Sequence, residues 1–112
     1  RLFSSLLESM RAANKAGGKL GWGTDAGVYV GSHGNGIYEF RARVNDLEFT
    51  PLECLIQATK NNAEILQIDD SVGTLAVGKK ANILAVRGEP DKDINALEDI
   101  TLVLKGGRVV KD

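Results

Sequence analysis

Cysteine and histidine occur once each in these 112 residues, as Cys54 and His33, and aromatic residues make up only 5%. A lone cysteine excludes an intrachain disulfide and suits a reducing compartment, so a cytoplasmic protein is expected. With one histidine and no second cysteine, a self-contained zinc site is excluded, because catalytic zinc typically takes about three protein ligands. No apolar run approaches the roughly 18 residues that span a bilayer, and no basic flank leads into an apolar signal core, so no membrane partner is expected. Neither sign of charge prevails: the formal net charge is -1 and the Lys and Arg residues are scattered. That leaves no electrostatic footprint for nucleic acid.

What is present is the mixture of an ordinary globular domain, 43% hydrophobic and 26% charged, too mixed for disorder. A chain of this size buries only roughly 60–70% of its unfolded surface, which suits one domain with a modest core. A large active-site scaffold is not complete within it. The sequence opens on Arg1 rather than methionine, so a fragment or a processed product is expected.

Ser5-Leu6-Leu7-Glu8 has capping-box spacing, and Leu6, Leu7, Met10 and Ala13 follow at helical intervals before Gly17-Gly18, which predicts a first helix over 5–16. Residues 19–22 are short and mainly apolar, consistent with a buried strand that carries Thr24 and Asp25 at its C-terminal end. Glycine, serine and Asn35 around His33 predict a long loop over 28–36, and Phe40 and Val44 on the side of Ile37 predict a second helix over 37–46. Thr50-Pro51-Leu52-Glu53 is the clearest helix start: threonine caps the N3 amide, proline suits N1, and the glutamate bonds back. Leu52, Leu55, Ile56 and Thr59 are expected to form its buried stripe, with Cys54 a small helix residue rather than a nucleophile, no histidine lying near it in sequence. Asn61-Asn62-Ala63-Glu64 repeats the cap-to-acid spacing, as if a short new helix began there with Ile65 and Leu66, which predicts a kink or break near 60–62. Beyond Ile68 the pattern turns to β-type runs at 73–75 and 81–86, with a helical turn at 94–97. Two further runs, 101–105 and 108–110, flank Gly106-Gly107 as in a tight hairpin.

Asp25 is the residue that raises a chemical question. A carboxylate at the C-terminal end of a buried strand is where α/β barrels place catalytic groups; a side-chain cap on a turn is the other reading that the spacing allows. His33, eight residues on in a Gly/Ser-rich loop, either faces solvent or folds back over a site.

In order, Gly23-Thr24-Asp25-Ala26-Gly27, His33-Gly34 with Glu39, Thr50-Pro51-Leu52-Glu53 with Ala58-Thr59 and Asn61, Gly73-Thr74-Leu75 with Gly78-Lys79, and Leu104-Lys105-Gly106-Gly107-Arg108-Val109-Val110 resemble the C-terminal part of the metal-dependent amidohydrolases. The subgroup resembled is that of imidazolonepropionase and Xaa-Pro dipeptidase, over residues 16–112. The resemblance implies an α/β fold: residues 1–68 would be the last strand and helices of a (β/α)8 TIM barrel, and 69–112 strands of a small composite β-sandwich domain. It implies that Asp25 touches the metal and acts as general base for a metal-activated water attacking an amide or peptide bond. His33 would contact a small substrate such as a dipeptide or cyclic amide. A divalent metal, zinc above all, is implied for the intact enzyme and none for this chain alone, because the family's His-x-His and its other ligands would lie upstream. Asn82, where the family usually has aspartate, and the lack of glycine before Thr50 depart from the pattern away from the metal site. Association with the missing N-terminal part or with a second copy is expected. The competing expectation is a stand-alone α+β binding or assembly module without catalysis.

Overall fold

A computed structural model of the chain describes residues 2–27 and 33–111. Helix α1 spans Leu2–Lys15 and starts three residues before the predicted capping box, so Ser5 and Glu8 lie inside it. Its end is a Schellman turn: the Gly17 N–H bonds the Asn14 carbonyl at 3.0 Å and the Gly18 N–H bonds that of Ala13 at 2.9 Å, which satisfies two of the last carbonyls. After the segment 18–25, which is neither helical nor paired in a sheet, the chain re-enters helix as α2, Ile37–Asn45.

Helix α3, Pro51–Ile56, starts as its sequence predicts. The Thr50 hydroxyl accepts from the Glu53 N–H at 3.1 Å, and the Glu53 carboxylate accepts from the Thr50 N–H at 2.7 Å. The predicted break is a widening. Residues Gln57–Asn61 form a π-helical turn that runs directly into α4, Asn62–Ile65, and Asn61 makes no side-chain cap there. The predicted stripe is also displaced: Leu52 and Ile56 are 51% and 39% exposed, whereas Cys54 and Gln57 are buried. Leu55 of the stripe packs against the core, but α3 and the π turn present Cys54 and Gln57 inward and leave Leu52 and Ile56 facing outward.

The core is a cluster of Leu47, Phe49, Cys54 and Ile94, with Leu7 and Met10 of α1, Leu20, Phe40 and Val44 of α2, Leu55 and Leu97 packed around it. Ile94 reaches it from a 3₁₀ turn, Ile94–Glu98, capped by the Asp93 carboxylate. The predicted β runs are confirmed in part: residues 73–75 lie in no strand, while β1 (Ile83–Val86), β2 (Ile100–Lys105) and β3 (Arg108–Lys111) form a three-stranded antiparallel sheet in the order β1-β2-β3. Lys105 pairs with Arg108 across Gly106-Gly107, whose φ angles of 57° and 79° are those a type I′ hairpin requires at both central positions. The Asn82 carboxamide accepts from the Gly106 N–H at 2.9 Å, so it ties the start of β1 to the hairpin turn.

Candidate active site around Asp25

The segment that ends in Asp25 has no strand beside it among the described residues, so its backbone polar groups must find partners elsewhere. They find them in side chains. Asn61 Nδ2 donates to the Leu20 carbonyl at 2.9 Å, an Arg43 guanidinium nitrogen to that of Gly21 at 2.7 Å, and Asn62 Nδ2 to that of Trp22 at 2.8 Å. Asn62 Oδ1 also accepts from the Trp22 N–H at 2.8 Å. Gly21 allows this approach, since a Cβ there would stand 2.7 Å from Asn62 Oδ1. Lys19 pairs with Glu64, and that bond holds the Glu64 carboxyl below its ordinary pKa.

Arg43 is 5% exposed, and a cation so placed must have its donors satisfied. It bonds Gln57 Oε1 at 2.7 Å and Glu39 Oε1 at 2.8 Å in addition to Gly21. The Trp22 ring stacks on Phe40, from the same helix as Arg43, with centroids 4.6 Å apart. Its indole N–H is buried without a partner among the described residues.

Beyond Trp22 the chain turns sharply. Thr24 Oγ1 accepts from the Ala26 N–H at 3.2 Å, so threonine supplies the turn cap that spacing allowed to Asp25. Asp25 itself has φ 53°, the left-handed region that aspartate tolerates better than most residues. It is exposed, as is His33. Gly27 has φ 100°, and a Cβ there would stand 2.9 Å from His33 Nε2; the imidazole lies against the backbone two residues beyond Asp25. The stretch 28–32 of the predicted loop lies outside the described residues.

The donors this chain offers a cation at that point are one carboxylate and one imidazole, and the described residues contain no group of three or more His, Cys, Asp or Glu that could hold a metal. A catalytic zinc takes about three protein ligands, more than Asp25 and His33 supply. Cys54 is fully buried, and that burial pushes its thiol up to about 11, which disfavours the reactive thiolate. An open cleft of about 470 Å³ between α1 and the 47–53 stretch is lined by Glu8, Arg11, Lys15, Glu48 and Glu53 among others, and includes none of the residues around Asp25. No helix among the described residues is long and apolar enough to cross a membrane.

The residues that sequence reasoning passed over are Arg43, Gln57 and Asn62; only the amide pair Asn61-Asn62 carried a signal, which spacing assigned to a helix cap. No curated protein matches the sequence. Among solved structures, a Xaa-Pro dipeptidase with methionine bound in its active site is 34% identical over 95% of this chain, with a TM-score of 0.85. A prolidase complexed with N-methylphosphonate-L-proline is 34% identical over 94%, with a TM-score of 0.80, and ochratoxinase from A. niger is 30% identical over 96%, with a TM-score of 0.81. This chain spans 25%, 26% and 25% of those three, in that order. The amidohydrolase family model matches residues 2–110, from α1 through the Asp25 segment and the capped α3 to the Gly-Gly hairpin, and the chain belongs to the amidohydrolase family.

Proposed function

We propose that the protein of which this chain is a part hydrolyses an amide or peptide C–N bond in a small substrate, an Xaa-Pro dipeptide before others, with Asp25 as its general base. The observation that carries this reading is an exposed carboxylate held at φ 53° on a turn whose cap is made by Thr24. Left-handed backbone at a non-glycine residue costs free energy and concentrates at functional sites. Among the described residues the cap of that turn is made by Thr24 and not by Asp25, which leaves the Asp25 carboxylate for proton transfer. The likeness to a Xaa-Pro dipeptidase and to a prolidase holding a proline phosphonate supports the substrate class.

In this reading Asp25 is also the one ligand this chain gives to a divalent metal, zinc before others, which when bound would polarise the substrate carbonyl and acidify the attacking water. A carboxylate oxygen of Asp25 takes the proton from that water as it attacks. His33, seated over Gly27, contacts the substrate. Residues 1–68 belong to the barrel and 69–112 to the small β domain. The partner is the remainder of the protein or a second copy, the setting is the cytoplasm, and this chain alone is inactive.

The test is Asp25→Asn in the full-length protein, assayed on a panel of Xaa-Pro dipeptides and lactams. The amide keeps the shape and cannot accept the proton, so turnover should fall on the order of 10²–10⁴-fold. Near-normal turnover removes Asp25 from the mechanism.

A further inference from the structure

We propose that Asn62 is a positioning residue for Asp25, acting through the backbone of Trp22. The inference rests on the reading of Asp25 as general base and adds to it the part that holds the base in place.

Three consecutive carbonyls, those of Leu20, Gly21 and Trp22, are each capped by a different side chain of the helical layer: Asn61, Arg43 and Asn62. Only Asn62 makes two bonds to one residue, accepting from the Trp22 N–H and donating to the Trp22 carbonyl, both at 2.8 Å. That is the exchange of bonds a residue makes with its partner in an antiparallel ladder. A carboxamide is the side chain that offers an acceptor and a donor in one plane, so Asn62 stands where a neighbouring strand would.

The π-helical turn explains how a helix can do this. Its i→i+5 spacing keeps Gln57, Asn61 and Asn62 all turned to the 20–22 stretch, where Gln57 receives Arg43 and the two asparagines receive the backbone. In a regular α-helical turn the residue stacked over Gln57 is Asn61, four on, and Asn62 is carried a further step round the helix; the π turn brings Asn62, five on, back over Gln57. Among the described residues Trp22 is thus the last before Asp25 whose backbone the helical layer holds, and its ring stacks on Phe40 of α2. Only Gly23 and Thr24 separate this anchor from the carboxylate. A displacement of about 1 Å at a catalytic group costs on the order of 10²-fold in rate, and loss of the two Trp22 bonds allows a displacement of that size.

The experiment uses the full-length protein, with Asn62→Ala, which removes both bonds, and Asn62→Asp, which keeps the acceptor for the Trp22 N–H and loses the donor to its carbonyl. On the Xaa-Pro panel, Asn62→Ala should lower kcat about 100-fold with KM within about threefold of the wild type, and Asn62→Asp should fall between the two. Amide hydrogen exchange over residues 20–25 should quicken in the same order while exchange over α1 and the β2–β3 hairpin stays unchanged. A folded Asn62→Ala protein with wild-type kcat overturns the inference, as does unchanged exchange over 20–25. If Asn62→Ala does not fold, Asn62→Asp carries both readouts with the same criteria. A wild-type protein inactive on the panel, with Asp25→Asn no different, overturns the functional reading; the exchange over 20–25 then decides by itself whether Asn62 holds the segment.

Discussion

Cys54 offers a direct test of whether this stretch of sequence builds its own core. Its side chain has no exposed surface and packs with Leu47, Phe49 and Ile94. Burial pushes the thiol from its ordinary value of 9.0 up to about 11, against an opposing pull from the Arg43 charge. At about pH 8 an ordinary thiol of that kind is roughly one-tenth thiolate and the buried one roughly one-thousandth, so ionisation alone should slow alkylation by about 100-fold, before any steric protection. The assay is the rate of iodoacetamide labelling of the 112-residue chain in buffer and in concentrated urea. The native rate should be at least about 100-fold lower. Equal rates would refute the packing argued for Leu47, Phe49, Cys54 and Ile94. The same shift sets a pH dependence. Below pH 9 the thiol is neutral in both states; as pH rises toward about 11, the unfolded chain loses the proton that the folded one keeps. The unfolded state then binds fewer protons, so the stability due to the neutral thiol is lost as pH rises through this window. Urea midpoints compared at each pH with Cys54→Ala, which lacks the titrating group, isolate that component.

Gly73→Ala should destabilise the chain by about 2–4 kcal/mol, because φ is 103° there and a Cβ would meet that of Ala63 at 2.5 Å; an unchanged urea midpoint would show that the Gly73 turn is not seated on α4. Thr50→Ala should cost about 1 kcal/mol by removing the cap on α3, read from the same denaturation curves. Equilibrium dialysis of the isolated chain should find no stoichiometric zinc, since Asp25 and His33 supply too few ligands; zinc binding lost in Asp25→Ala would overturn this. Sedimentation equilibrium on the isolated chain should show association, because Leu52, Ile65, Leu66, Leu75 and Val77 are 50% exposed or more and both edges of the sheet, β1 and β3, are unpaired among the described residues. A monomer throughout the micromolar range would refute it.

The features legible in the sequence are those whose physics is local. The Thr50–Glu53 cap, the Gly106-Gly107 hairpin and the Gly17-Gly18 stop each act within a few residues, and each is found where its residues stand. The start of α1 was not legible, because capping-box spacing is also compatible with a helix interior. Asp25 was legible as a position, from the apolar residues before it and the small ones after it. What holds Asp25 was not: Arg43 acts on Gly21 from 22 residues away and Asn62 on Trp22 from 40. An asparagine next to another asparagine within a helical pattern reads as a cap, since local backbone bonding is its commonest use. Only the tertiary approach of α4 to the 20–22 stretch shows that both carboxamides are spent on the backbone of another segment.

The misplaced stripe of α3 has a physical cause of the same kind. Periodicity finds the apolar face of a helix and does not say what that face meets. Here Leu52 and Ile56 form such a face and it is open, while the opposite face, Cys54 and Gln57, is the one that docks against the core and against Arg43. The helix thus has one face closed by an ion-pair and amide network and, at Leu52 and Ile56, an apolar face that is exposed. The two faces differ in the kind of interaction they offer. Holding a backbone segment in one register takes directional bonds, which Arg43, Gln57, Asn61 and Asn62 provide, whereas joining two layers takes only area removed from water, which leucine and isoleucine provide at about 25 cal/mol per Å². The closed face of α3, the π turn and α4 is the one that bears on Asp25, and substitutions there should register in turnover, whereas substitutions at Leu52 and Ile56 should register in assembly.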